Sequence, residues 1–188
     1  MCPPQAAGNI RFNQVNLLAA LESTALGLDA PCETNGYRQD HVGRILASLR
    51  RWTGRSLIDP RLALTEQARR LFFSPFVVLS HNVDSDPLLN YANQAGLRLF
   101  EMTWEELIRT PSRLTAELAH RSERARLLSA VSTKGFIDDY SGIRISKTGR
   151  RFVIERATVW NLIDDLGAPY GQAATFSQWK YLEAGGEK

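Results

Sequence analysis

At 188 residues, with 44% hydrophobic and 23% charged positions, the chain has the size of one domain with a small extension and the composition of a globular protein. This excludes intrinsic disorder and low-complexity chains, and two cysteines exclude a disulfide scaffold by count. A net charge of +3 is too small to mark a nucleic-acid binder by itself.

No apolar run approaches the ~18–20 residues that a membrane-spanning helix needs, so no membrane partner is expected. Met1-Cys2-Pro3-Pro4 lacks the basic start and apolar stretch of a secretory signal. Cys2 and Cys32 both fall in loop-like segments, and a reducing cytoplasm is the expected compartment.

In chain order, Val15, Leu18, Leu21 and Ala25 share one face of a predicted helix over 14–26, which Gly27 stops. Residues 29–40 read as a polar linker, which places a boundary between an extension, 1–37, and a domain, 38–182, with a tail at 183–188. Val42, Ile45, Leu46, Leu49 and Trp52 then repeat at helical spacing, with Arg44, Arg50 and Arg51 opposite. Asp59-Pro60 reads as an N-cap and first helical position, starting a helix that runs to about Phe73.

Beyond Ser74-Pro75 the texture changes. Residues 76–80 are an apolar run that fits a buried strand, and 88–93 read as a second strand after a turn rich in Asp and Ser. Residues 94–100 return to helical spacing. Thr103-Trp104-Glu105-Glu106 is a capping box that opens a short helix ending near Pro111. Residues 121–132 form a further helix. The last third reads as two antiparallel hairpins: strands at 136–146, 150–163 and 170–179, with turns at Lys147-Thr148-Gly149 and Asp164-Asp165-Leu166-Gly167. Two opening and three closing strands make one five-stranded antiparallel sheet. The intervening helices lie on one face, and the N-terminal helices precede it, in an α+β fold.

That order resembles a PAS domain. Tyr91-Ala92-Asn93-Gln94-Ala95-Gly96, followed by Leu99-Phe100 and the capping box, resembles the segment where a PAS strand gives way to its first helices. More narrowly, the chain is similar to a stand-alone MEKHLA-domain protein, a PAS-related family. The stretches that carry this are 91–106, Gly135-Phe136-Ile137-Asp138-Asp139-Tyr140-Ser141-Gly142, Gly149 to Phe152, Arg156-Ala157-Thr158-Val159-Trp160-Asn161, and 171–177. The family also closes the plant class III homeodomain–leucine zipper regulators. The resemblance implies a sensing or protein-interaction role, in those plant proteins one that influences dimerisation, and no established chemistry.

Candidate chemistry is sparse. His81, Asp84 and Asp86 could ligate a metal, but they fit a polar turn bonding its own backbone, and no metal site is assigned. Asp138 and Asp139 are adjacent on a strand and face opposite sides unless a bulge intervenes. No Gly-x-Ser-x-Gly elbow accompanies Ser80-His81 or Ser141-Gly142, and no catalytic residue is assigned. Residues 94–132 contain no cysteine, which removes the photoactive-flavin form of the fold, and His120 is the sole candidate for a haem. The cofactor is left open.

The expected site is a cleft between helices and sheet, lined by Phe100, Leu107, Tyr140, Ile154 and Trp160, for a small apolar or amphipathic ligand. The expected function is a non-enzymatic sensory or interaction module. The helices at 14–26 and 42–52 are expected to pair two subunits or hold a partner protein. Two alternatives stand beside it. One is a nucleic-acid-associated regulator using Arg50-Arg51-Arg55, Arg69-Arg70, Arg121-Arg124-Arg126 and Arg150-Arg151. The other is a small hydrolase or isomerase using His81, Asp84 and Asp86.

Overall fold

The computed structural model describes residues 29–117 and 121–183. The helix expected at 14–26 lies outside them. After a short 3-10 segment, Glu33–Arg38, the elements are α1 (Gln39–Thr53), α2 (Leu64–Phe72), β1 (Val77–His81), β2 (Leu89–Ala92), α3 (Gln94–Phe100), α4 (Trp104–Leu107), a 3-10 turn at Ser112–Thr115, α5 (Arg121–Lys134), β3 (Phe136–Ile145), β4 (Arg151–Ile163), β5 (Pro169–Phe176) and β6 (Gln178–Tyr181). The strands form one antiparallel sheet in the order β2-β1-β5-β4-β3, with β6 also paired to β4.

β5 and β6 are together the single last strand of the sequence reading. β5 pairs with the second half of β4, from Thr158 to Ile163, and β6 pairs with its first half, from Phe152 to Glu155. The break between them falls opposite Arg156, whose φ of 55° marks a bulge. A second bulge lies at Asp139, φ 58°, where the β3–β4 register shifts between Ile137 and Tyr140. Each bulge inserts one residue and switches which side chains face which side.

The sheet is buried on both faces. On the outer face, α1 buries Val42, Ile45 and Leu49 against Trp160, Leu162, Val78 and Ala173. Trp160 is completely buried and its indole Nε1 donates to the Ile45 carbonyl at 3.2 Å. The Ser48 hydroxyl accepts from the Ile163 amide at 3.1 Å. Gly54, in the left-handed region, closes α1 by donating to the Arg50 carbonyl. The apolar face of α1, where subunit pairing was expected, is therefore spent inside the domain. On the inner face, Leu99 and Phe100 of α3 pack on Val77, Phe152, Ile154, Ala157 and Phe176.

The helix expected from Asp59 starts instead at Leu64. The Asp59 carboxylate accepts from the Arg61 amide at 3.0 Å and its carbonyl accepts from the Leu62 amide. Asp59 thus closes a local turn rather than capping a helix. Asn93 does cap a helix. It is fully buried, and its Oδ1 accepts from the Gly96 and Val78 amides, both at 3.0 Å. Its Nδ2 donates to the Phe76 carbonyl at 2.7 Å, the Ser74 hydroxyl at 2.9 Å and the Leu71 carbonyl at 3.3 Å. One side chain thus ties α2, β1 and α3 together.

Candidate functional site

Two hollows flank α5. The inner one lies between the sheet and the helices and measures about 50 Å³. Phe100, Tyr140, Arg144, Ile154, Val159 and Phe176 are among the residues of its wall, with Leu127 of α5 on the helix side. The second is an open cleft of about 510 Å³ at the sheet rim, lined by Trp52, Asn161, Ser129, Ser132 and Pro169 among others. His81 and Gln172 line both. Sites for small molecules generally measure ~300–1,000 Å³. The rim cleft has that size. The inner hollow holds only a few atoms unless α5 moves.

The packing of α5 suits such movement. Among its described side chains only Val131 is fully buried, and Ser122, Ala125, Arg126 and Ser129 are exposed. Its C-terminal end is pinned by Asn161, whose Nδ2 donates to the Val131 carbonyl at 2.9 Å and whose amide donates to the Gly135 carbonyl at 2.9 Å. Gln172 Nε2 donates to Asn161 Oδ1 at 3.0 Å, and the Trp52 indole donates to the Asn161 carbonyl at 2.9 Å. At Gly135, φ 92°, a Cβ would collide with the Trp52 ring. The end of α5 and the end of α1 are thereby joined through one residue of β4.

Of the five sequence-predicted lining residues, the structure gathers Phe100, Tyr140 and Ile154 at the inner hollow. Trp160 faces the opposite side of the sheet, under α1, and Leu107 packs with Trp104 and Tyr91 in the same outer cluster. Uninterrupted alternation would put residues 154 and 160 on one face. The bulge at Arg156 breaks that parity, and nothing in a lone arginine announces it. The bulge at Asp139 likewise turns Tyr140 inward, across from Ala157.

Arg144 and Gln172 were not foreseen as lining residues. Tyr140, Gly142 and Arg144 occupy one face of β3, and a Cβ at Gly142 would collide with the Tyr140 hydroxyl. The phenol lies across that bare position and accepts from Arg144 Nη2 at 3.1 Å.

The outer face holds a buried Ser–His pair. His41 Nε2 lies 2.9 Å from Ser80 Oγ, and Ser80 Oγ donates to Asn90 Oδ1 at 2.6 Å. With its proton committed to Asn90, Ser80 accepts from Nε2–H. Nδ1 then accepts from the Tyr170 hydroxyl at 3.3 Å. This tautomer cannot take a proton from Ser80, and both residues are shut from solvent, so the pair is a strut between α1 and the sheet. Burial and the charges of Arg38 and Arg44 hold the His41 pKa down to about 3, from an ordinary value of 6.5. The sign follows: below pH 6.5 the unfolded chain takes up a proton that the folded chain refuses until about pH 3. Stability is expected to fall as pH drops through that window, by ~1.4 kcal/mol per unit from this group. Urea midpoints at pH 7.5 and pH 5.0 check it. The wild type loses about 2 kcal/mol that His41→Gln does not.

The polar turn disperses. The Asp86 carboxylate takes Arg113 at 2.9 Å, Asp84 accepts from Asn82 Nδ2 at 2.6 Å, and neither lines a hollow with His81. Among the described residues, no three His, Cys, Asp or Glu side chains gather as a metal site, and no helix is long and apolar enough to cross a membrane. His120 lies outside the described residues. The arginine clusters are partly spent on local carboxylates: Arg55 on Asp138, Arg69 and Arg70 on Glu66, Arg151 on Glu117.

Comparison with known proteins bears on the same segments. The MEKHLA domain profile matches residues 39–181. Two homeobox-leucine zipper proteins of Arabidopsis thaliana are similar to it. ATHB-9 is 28% identical over 103 residues, 55% of this chain and 12% of that protein. ATHB-8 is 23% identical over 181 residues, 89% of this chain and 21% of that protein. The chain thus spans about a fifth or less of the length of these relatives. Among solved structures, a PAS domain from Colwellia psychrerythraea superposes with TM-score 0.54 at 13% identity, covering 63% of this chain and 96% of that one. An RNA-binding light-oxygen-voltage receptor gives 0.53 at 19% identity, covering 63% of this chain and 34% of that one. These likenesses establish an α+β, PAS-like fold.

Proposed function

Because the chain belongs to the MEKHLA-domain family and has the fold of PAS sensory modules, we propose that it is a non-enzymatic sensory domain that holds a small apolar or amphipathic ligand on the inner face of its sheet. The observation that carries this reading is the hollow of Phe100, Tyr140, Ile154 and Phe176 beneath a helix whose described side chains, Val131 apart, are exposed or half-buried. Occupancy shifts the population of α5 positions. Asn161 relays that shift to Trp52 and so to α1, whose arginine face is open to a partner. The ligand enters from the rim cleft past His81 and Gln172, which border both spaces. The buried, wrongly protonated Ser–His pair supports a non-enzymatic reading.

Native mass spectrometry of the untagged chain beside Ile154→Phe tests this. The expected result is one small-molecule adduct per chain on the wild type, absent from the variant, whose added ring fills the hollow. An adduct equally present on both would count against it.

A further inference from the structure

The wall of the inner hollow carries a charge that no ion pair among the described residues neutralises. Arg144 is only 7% exposed. Its Nη1 donates to the Ile143 carbonyl at 2.8 Å and its Nη2 to the Tyr140 hydroxyl at 3.1 Å, with the guanidinium carbon 5.2 Å from the centre of the Tyr140 ring. Both acceptors are neutral, and a guanidinium offers five N–H donors in a fork that matches a carboxylate. Among the described residues no carboxylate forms an ion pair with Arg144, whereas Arg55, Arg113 and Arg151 each have one and are far more exposed. Burying a charge without a counter-charge is among the most costly arrangements in a fold. Here the cost is localised at a cavity wall.

The surroundings are shaped for that charge. The bare position at Gly142 lets the Tyr140 phenol lie across β3 to the guanidinium, and a side chain there would displace it. The phenol oxygen accepts from Arg144, which leaves its own proton to donate into the hollow. Phe100 and Ile154 supply an apolar wall beside this polar pair.

We propose that the inner hollow receives a short-chain organic carboxylate, its two oxygens held by Arg144 and the Tyr140 hydroxyl and its hydrocarbon part set against Phe100 and Ile154. This deepens the ligand-sensing reading and rests on it. A volume of about 50 Å³ sets the scale at acetate or propionate with α5 in place. A ligand of about four heavy atoms reaches a Kd of roughly 50 µM at best, so millimolar probe concentrations are needed.

The test is titration of the whole chain with sodium acetate, propionate and butyrate, against acetamide, propionamide and butyramide, at constant ionic strength set by sodium chloride. Carboxylates are expected to bind at least 10-fold more tightly than the matching amides. Arg144→Met is expected to weaken propionate by roughly 30-fold or more. In plain buffer it is expected to match or exceed the wild-type melting temperature, because an uncompensated buried charge is gone. Tyr140→Phe, which removes only the hydroxyl, is expected to keep the fold and weaken propionate several-fold. Equal binding of amides and carboxylates overturns the proposal while leaving the hollow a ligand site. Propionate binding that survives in both variants overturns it, as does an absence of carboxylate binding at 20 mM. A marked loss of stability in Arg144→Met, with propionate binding intact in Tyr140→Phe, also overturns it by making Arg144 a structural group.

Discussion

Asn93→Leu is expected to destabilise the domain by about 5 kcal/mol, enough to leave much of the chain unfolded. The change keeps the volume and removes an amide that has five hydrogen-bond partners in and beside α2, β1 and α3, two of its three acceptors sharing one N–H. Each bond is worth ~1 kcal/mol net, and each buried partner left without one costs ~1–3 kcal/mol. A domain of this size has only ~5–15 kcal/mol in hand. Asn93→Asp is expected to be nearly as damaging, because a carboxylate cannot donate to the Phe76 and Leu71 carbonyls. Urea unfolding followed by tryptophan fluorescence checks both. A loss under 2 kcal/mol for Asn93→Leu would show that the segment around Ser74 relaxes to satisfy its own backbone.

Trp160→Ala is expected to cost ~3–5 kcal/mol, the usual range for emptying a large aromatic site in a core. The indole is completely buried beneath α1 and bonded to the Ile45 carbonyl. Its loss therefore opens a cavity between α1 and the sheet rather than in the inner hollow. Two readouts separate these outcomes. Trypsin is expected to cut faster at Arg50, Arg51 and Arg55, as α1 detaches, while ligand binding in the inner hollow changes little in the fraction still folded. Trp160→Phe is expected to recover most of the stability. A variant that keeps its stability but loses ligand binding would return Trp160 to the lining of the site.

These two residues also mark what could be read from the sequence. Asn93 was read only as the end of a strand, and its role as an N-cap that also holds β1 and α2 came from the structure. The capping box at Thr103 was legible: the Glu106 amide donates to the Thr103 hydroxyl, and Glu106 Oε2 accepts from the Thr103 amide. The hairpins declared themselves through β-branched strands and turn residues. Trp160 was misplaced because facing is a parity argument, and one inserted residue inverts it. Asp139 and Arg156 adopt positive φ without being glycine, and arginine carries no local signal for that conformation. His41 was hidden for a different reason. Its partners Ser80 and Tyr170 lie 39 and 129 residues away, and only the folded sheet brings them together. Arg144 went unremarked within the strand at 136–146. Its meaning comes from having no ion pair among the described residues, which spacing along the chain does not reveal.

Two spaces compete to take a ligand, the inner hollow and the rim cleft. A ¹⁵N–¹H correlation spectrum of the chain titrated with 1-propanol, a neutral probe small enough for the inner hollow, settles that most directly. The expected result is saturable shifts centred on Phe100, Tyr140, Gly142 and Ile154, extending to α5 and through Asn161 to Trp52. Shifts confined to the rim cleft, or to exposed side chains with no saturation, would contradict it.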